Sequence, residues 1–264
     1  MKKYLTLLHV SFLDSIVYRA DFFLWGISTL IDTIIFLFLW ITIYGQQQII
    51  GGFNLAQTVT YLIGVGIISD FISVYVGQRI EKDVQNGGLN TYLIKPISYP
   101  IALLFSSIAN KPINIVIRLL VYICVAFFFR DKFILTLDPL VWVTFLFSFV
   151  MAFIINFLIN FSFGCISFWT TTSRGMFGIL YTITAVFSGG YAPLTFFPQW
   201  FQAIASFTPF SYTRYFPMLI YLKQLSNAEI IKGIAIQIGW IVALLLVARF
   251  LWRRGVRRYE GVGI

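Results

Sequence analysis

The sequence contains several runs of about 20 apolar residues with almost no Asp, Glu, Lys or Arg, and about 20 residues are enough for a helix to cross a hydrocarbon core of about 30 Å. Only 11% of all residues are charged, against about 25% in ordinary soluble domains. The runs are uninterrupted and lack the two-residue alternation of barrel strands, so the spans must be helices. The sequence therefore predicts an all-α membrane protein.

The chain is predicted to form one transmembrane domain, 1–264, with six transmembrane spans. Residues 1–20 repeat apolar side chains every three or four positions among charged ones, which predicts an amphipathic interfacial helix. Asn110, Lys111 and Pro112 interrupt the third apolar stretch, and we expect Pro112 to begin or bend a helix there. The predicted spans cover about residues 22–44, 55–77, 101–129, 140–169, 176–190 and 233–252.

Basic residues are distributed unevenly between the two sides that six spans define. Most of the 19 Lys and Arg residues lie on the side that holds both termini, including four arginines in the C-terminal stretch 253–258. Cytoplasmic loops carry the excess of Lys and Arg. The sequence thus predicts a multi-pass protein of the cell membrane with cytoplasmic termini. Because these residues lie beside apolar spans, they also argue against a nucleic acid partner despite the net charge of +9.

The sequence lacks the common motifs of catalysis and cofactor binding. It has no G-x-x-x-x-G-K-[ST] phosphate loop, no H-E-x-x-H pair and no G-x-S-x-G elbow. Cys124 and Cys165 lie in apolar runs and His9 is the one histidine, so neither a metal site nor a disulfide framework is indicated. We expect no catalytic residue, metal or cofactor on this chain. Energy for uphill transport must come from another subunit or from coupled ions.

Asp32, Asp70 and Arg118 are the candidates for ionisable residues inside the bilayer. Charges inside a bilayer are costly and mark ion or substrate pathways in many membrane proteins. Asp70 and Arg118 are expected at similar depth, so an ion pair between them is a hypothesis. The three residues define an alternative function, an ion-coupled secondary transporter or channel. A membrane-embedded enzyme and a non-catalytic scaffold also stay open.

A strongly polar segment between the second and third spans must lie in water. From Ile80 to Ile97 it reads IEKDVQNGGLNTYLIKPI, and it resembles the type-2 ABC exporter permeases, six-helix subunits encoded beside a separate ATPase. In that family a short cytoplasmic helix at this place docks into a cleft on the ATPase. The resemblance implies a coupling helix over about residues 79–94. It implies ATPase-coupling roles for Arg79, Glu81, Lys82, Asp83, Gly87, Gly88, Leu89, Leu93, Lys95 and Pro96.

A second signature lies between the fifth and sixth spans, where residues 191–222 are apolar, aromatic and interrupted by prolines. This stretch resembles the extracellular re-entrant helices of the same family. The residues that carry the likeness are Phe197, Pro198, Pro209, Phe210, Tyr212 and Pro217.

The resemblance also implies an assembly. Two permease subunits, identical or homologous, would face each other in membrane lipid around a central pathway. An ABC ATPase dimer would bind ATP and Mg below them, so this chain would hold no cofactor itself. The Gly87–Gly88 pair suits a helix end with positive φ. The implied function is export of an amphipathic substrate of the drug, peptide, lipid or glycan class.

Overall fold

The computed structural model describes residues 19–45, 48–94, 97–109, 111–170 and 174–259. The interfacial helix predicted at 1–20 lies almost wholly outside this part of the chain. Described residues form α-helices joined by short loops and one antiparallel two-stranded hairpin. The elements are α1 (Arg19–Tyr44), β1 (Ile49–Ile50), β2 (Phe53–Asn54), α2 (Leu55–Ile72), α3 (Val76–Gln85), α4 (Gly88–Leu93), α5 (Tyr99–Ala109), α6 (Lys111–Phe128), α7 (Pro139–Cys165), α8 (Arg174–Phe187), α9 (Gln199–Ser206), α10 (Tyr215–Tyr221) and α11 (Asn227–Arg258).

Three helical stretches of the described residues are long and apolar enough to cross a membrane: Leu55–Gln85, Pro139–Phe168 and Asn227–Arg258. Each has at least 30 residues, more than the roughly 20 that a hydrocarbon core requires. Shorter apolar helices lie at Thr33–Tyr44, Tyr99–Ala109 and Gly175–Phe187. The architecture is therefore that of a helical membrane protein. The count of six spans stays a prediction.

Capping chemistry sets the starts of the three long stretches. At α2 and α11 the capping residues are Asn54 and Ser226; each side chain accepts from the backbone N–H three residues later, and the side chain of that later residue accepts from the backbone N–H of the capping residue. At α7 the Asp138 carboxylate accepts from the Leu140 N–H at 3.1 Å, and Pro139 occupies the first turn. Such caps satisfy backbone donors that have no partner within the helix. Hydropathy does not detect such caps, and the predicted span 233–252 is therefore shorter than α11 at both ends.

Helix α7 is central to the packing and contacts α11, α3, α10 and α2, whereas α1 packs on α2 and α6. All of residues 155–162 are buried, so this part of α7 is covered on every side. The α11 helix runs beside it, with Phe216 against Gly233 near one end and Tyr99 stacked on Trp252 near the other. At 1.5 Å per residue these two contacts are about 28 Å apart. We call the end of the molecule near Phe216 and Gly233 the re-entrant end, and the end near Tyr99 and Trp252 the coupling end.

The backbones of α3 and α7 come close together at two glycines, Gly77 and Gly164. A Cβ atom added to Gly164 would lie 2.7 Å from the Gly77 Cα, and one added to Gly77 would lie 2.8 Å from the Asn160 carbonyl oxygen. Real Cβ atoms essentially never approach so closely, and small residues are what let helix backbones meet in membranes. The start of α3 is therefore held directly against α7.

We expect Gly164→Ala to lower the free energy of unfolding by about 1–3 kcal/mol, because an extra methyl group in a filled contact forces the two helices apart. Gly178→Ala in α8 is the matched control, because a Cβ at Gly178 meets nothing within 4 Å. Alanine also favours a helix over glycine by about 1 kcal/mol, so the control variant should be at least as stable as the wild type. Denaturant unfolding in detergent compares the two, and equal stability of both variants would contradict the close contact.

Candidate functional site

The coupling segment, defined here as residues 76–94, forms two helices, α3 and α4, where the resemblance implies a single helix over 79–94. The interruption is at Asn86 and Gly87, and Gly87 has φ +72°. Glycine adopts this left-handed conformation without the steric cost that other residues meet. A Cβ added to Gly88 would lie 2.9 Å from the Asp83 Oδ1. The first glycine therefore turns the chain, and the second lets α4 pack back on α3.

The helical path is broken between α2 and α3 at residues 73–75. Side chains of two other helices bind carbonyl groups at the break: Asn156 of α7 donates to the Ile72 oxygen at 2.6 Å, and Lys111 of α6 donates to the Ser73 oxygen at 2.7 Å. An unsatisfied carbonyl in an apolar layer costs several kcal/mol, so these bonds stabilise the break. The break that leads into the coupling segment is thereby tied to α6 and α7.

Asp83 is the buried carboxylate of the coupling segment, with 7% of its surface exposed. Its Oδ2 accepts a hydrogen bond from Arg79 Nε at 3.1 Å and one from the Tyr99 hydroxyl of α5 at 2.8 Å. Burial, followed by the charge of this carboxylate, raises the pKa of Tyr99 above its ordinary value of 10.0, so the hydroxyl remains a donor. Asp83 therefore joins α3 to α5 on the inner side of the segment.

An aromatic cluster fastens the coupling segment to the end of α11. The Tyr99 ring stacks on Trp252 with centroids 5.2 Å apart, and Tyr92 of α4 meets Tyr99 edge-on at 4.9 Å. Trp252 also lies 5.7 Å from Phe161 and 5.8 Å from Phe168. Aromatic pairs in such geometries contribute about 0.5–1.5 kcal/mol beyond their buried area. Helices α4, α5, α7 and α11 thus share one cluster.

The outer face of the coupling segment is exposed and mixed in character. Arg79 and Lys82 carry charge there, whereas Leu93 and Ile94 are apolar and 47% and 83% exposed. Ile80, on the inner face, is fully buried. Exposed apolar side chains rimmed by polar ones mark interaction surfaces. The segment therefore has a fixed inner face and an outer face suited to binding another protein.

The model of the ABC-2 family transporter protein matches residues 30–263, nearly the whole chain. The chain belongs to the ABC-2 transporter family. Comparisons with curated proteins and with solved structures gave no match. ABC-2 membrane proteins work with an ATPase subunit and normally lack an ATPase site of their own.

In this ABC-2 protein the predicted coupling residues differ in exposure. The exposed ones are Arg79, Lys82 and Leu93. Those of intermediate exposure are Glu81, Gly87 and Gly88, and those buried are Asp83 and Leu89. Lys95 and Pro96 lie outside the described residues. Only part of the set is thus placed to touch a partner, and the buried members hold the segment in position.

The three predicted intramembrane charges are described only in part. Asp32 and Arg118 belong to α1 and α6, but their side chains lie outside the described residues. Asp70 lies in α2 with intermediate exposure, and its backbone carbonyl is 3.5 Å from Lys111 Nζ. The Asp70–Arg118 ion pair remains a hypothesis.

The predicted re-entrant stretch, 191–222, contains a short 3-10 helix (Leu194–Phe196) followed by α9 and α10. Pro198 caps α9, the preceding Phe197 stacks on Phe201 at 4.8 Å, and Pro217 is buried in the first turn of α10. Pro209 and Phe210 lie in the connecting turn, where the Phe210 ring is 6.5 Å from that of Phe187. Gln237 of α11 donates to the Tyr212 carbonyl at 2.9 Å. These short helices are therefore packed into the re-entrant end.

Sequence reasoning missed four residues that shape these sites: Tyr99, Asn156, Arg214 and Trp252. Asn156 carried a usable signal, since an amide in a long apolar run needs a buried partner. Tyr99 and Trp252 carried none, because aromatic residues are frequent throughout this chain. Arg214 lies in the predicted re-entrant stretch but is not one of the residues that carry the likeness, although it donates to Ser69 Oγ in α2 at 2.7 Å.

Proposed function

We propose that this chain is the permease subunit of an ATP-driven exporter of the ABC-2 family. A separate ATPase dimer, which binds ATP and Mg, docks on the outer face of the coupling segment. A second permease subunit, identical or homologous, completes the transmembrane pathway. The cargo is an amphipathic molecule of the drug, peptide, lipid or glycan class. The observation that carries this proposal is the contrast between the anchored inner face and the exposed outer face of residues 76–94.

The anchoring supports a mechanical role for the segment. ATP drives a change of state only because it binds one state more tightly than the other. Closure of the ATPase dimer would displace α3 and α4: α3 is bonded to α5 through Asp83, and the break just before α3 is bonded to α6 and α7 through Lys111 and Asn156. A displacement at the outer face therefore reaches the membrane helices through hydrogen bonds and ring contacts.

Charge supports the orientation that the proposal requires. Arg253, Arg254, Arg257 and Arg258 end α11 on the same end of the molecule as the coupling segment, and all four are exposed. Cytoplasmic faces hold the excess of basic residues. The excess of arginine supports a cytoplasmic location for this end, and we propose that both termini are cytoplasmic and that the re-entrant end faces the outside of the cell membrane.

The test is a detergent pull-down of the tagged chain from its native membrane, followed by mass spectrometry and an ATP hydrolysis assay. We expect an ATPase subunit to be recovered in a complex that hydrolyses ATP, and the hydrolysis to respond to amphipathic compounds. Recovery of the chain without any ATPase after gentle extraction would overturn the exporter. That result would favour an ion-coupled transporter that uses Asp32, Asp70 and Arg118.

A further inference from the structure

A cation lies inside the re-entrant end of the molecule, at Arg214. Its guanidinium bridges two helices: Nε donates to Ser69 Oγ of α2 at 2.7 Å, and Nη1 donates to Ser188 Oγ, which follows α8, at 2.5 Å. Nη1 also lies 3.4 Å from the Thr184 carbonyl oxygen. Residue 214 has intermediate exposure. The group is thus fixed in orientation by neutral partners, within a residue that is not fully buried.

The positive charge of Arg214 is not neutralised within the part of the chain that the structure describes. No described carboxylate lies within ion-pair distance of it, and four carboxylates placed beyond the spans have partners elsewhere, the first of them being Asp83 with Arg79. Asp138 binds Lys223 at 2.9 Å, Asp131 lies 3.9 Å from Arg130, and Glu229 caps α11. Burying a cation away from water without a counter-charge is costly, and such residues mark binding sites in membrane proteins.

The surroundings of the guanidinium suit an amphipathic ligand. Nη2 donates to no atom of the described residues, so its N–H groups are available to a ligand. The planar guanidinium group matches the geometry of carboxylate and phosphate oxygens. The phenol groups of Tyr61 and Tyr191 lie within electrostatic reach of the cation. Tyr191 is 47% exposed and stacks on Phe36 of α1 at 5.7 Å. Beyond Phe36, Ile35 and Leu39 of α1 present exposed apolar surface.

We propose that Arg214, with Ser69, Ser188 and Tyr191 around it, binds the anionic group of an amphipathic ligand whose apolar part lies along α1. The ligand class is a carboxylate or phosphate headgroup joined to a hydrocarbon or other apolar body. The interpretation of this site as a substrate site rests on the proposed function. The binding itself can be measured without the ATPase.

The experiment titrates the full-length chain in detergent with two probes that share an oleoyl tail. Lysophosphatidylglycerol carries a net negative charge, whereas lysophosphatidylcholine is zwitterionic. Native mass spectrometry measures the bound fraction of each. We expect the wild type to bind the anionic probe about tenfold more tightly than the zwitterionic one, because a charge-assisted hydrogen bond contributes roughly that factor.

Three variants test the assignment. Arg214→Gln keeps hydrogen-bonding capacity and removes the charge, so it should lose the preference; Arg214→Lys keeps the charge and should retain most of it. Lys232→Gln removes an exposed cation from the first turns of α11 and should change nothing. Absence of a preference in the wild type overturns the proposal even if a variant fails to fold. An equal preference in Arg214→Gln and the wild type overturns it as well.

The source of the anion is decided by competition. Inorganic phosphate that displaces lysophosphatidylglycerol at millimolar concentration identifies a small-anion site, and displacement only by anionic lipids identifies a headgroup site. Both results support the binding of an anion at Arg214. If the pull-down recovers no ATPase and the anion preference is nevertheless present, the exporter proposal fails while the Arg214 site stands.

Discussion

Replacement of Ile94 by aspartate is expected to reduce recovery of the ATPase with the tagged permease at least about tenfold, since a central apolar contact of an interface contributes about 2 kcal/mol or more. Ile94 directly follows α4 as its C-cap residue and is 83% exposed, so the substitution removes little packing within the described residues. A carboxylate there would have to lose its water on docking. The defect should therefore appear in complex formation and leave the stability of the permease unchanged.

The chain provides a matched control for this substitution. Leu137, in the loop before α7, is also 83% exposed but lies at the opposite end of the molecule. Leu137→Asp should leave recovery of the ATPase at the wild-type level, as quantified by mass spectrometry of the pull-down. If both variants retain the ATPase, docking does not use the outer face of the coupling segment. If both lose it, the effect is not specific to that face.

The second large effect is expected at the inner face, where Asp83 accepts hydrogen bonds from Arg79 and Tyr99. Asp83→Leu should lower the free energy of unfolding by about 1–3 kcal/mol, because it leaves the buried Tyr99 hydroxyl without its acceptor. The exposed apolar residues Leu93 and Ile94 of the outer face are unchanged, so the ATPase should still be recovered. Its hydrolysis should no longer respond to amphipathic compounds, since α3 is no longer bonded to α5.

A double-mutant cycle separates the hydrogen bond from the packing around it. Asp83→Asn and Tyr99→Phe should show a coupling energy of about 0.5–3 kcal/mol, as expected for residues in direct contact. Tyr92→Phe is the control, because Tyr92 meets Tyr99 through its ring. Zero coupling between positions 83 and 99, measured by denaturant unfolding in detergent, would show that the carboxylate does not hold α5.

Much of the fold could be predicted because lipid makes the sequence pattern simple. A helix that crosses an apolar layer needs a long uncharged run, and the long helices α2, α7 and α11 follow such runs. Their ends were harder to predict, because a cap such as Ser226 with Glu229 changes hydropathy very little. The break after Ile72 was not predicted either, since it depends on Asn156 and Lys111, residues far away in the sequence.

The position of the candidate site could be predicted, but not the direction in which its residues face. Polarity placed the segment in water, and the resemblance to exporter permeases gave it a coupling role. Polarity alone did not distinguish Lys82, which is exposed, from Asp83, which is buried beside Tyr99. That distinction depends on which residues α5 and α11 bring to the inner face, and no local pattern encodes the pairing of Tyr99 with Trp252.

The contact between Gly77 and Gly164 also limits how this protein can change during evolution. Neighbouring core residues commonly exchange volume, so that a larger side chain at one position is accommodated by a smaller one at the other. Here both positions already hold the smallest residue, and neither has volume to give up. A substitution at one position therefore has no compensating substitution at the other. In descendants of this sequence the pair should persist unchanged, or disappear together with a shift of one whole helix.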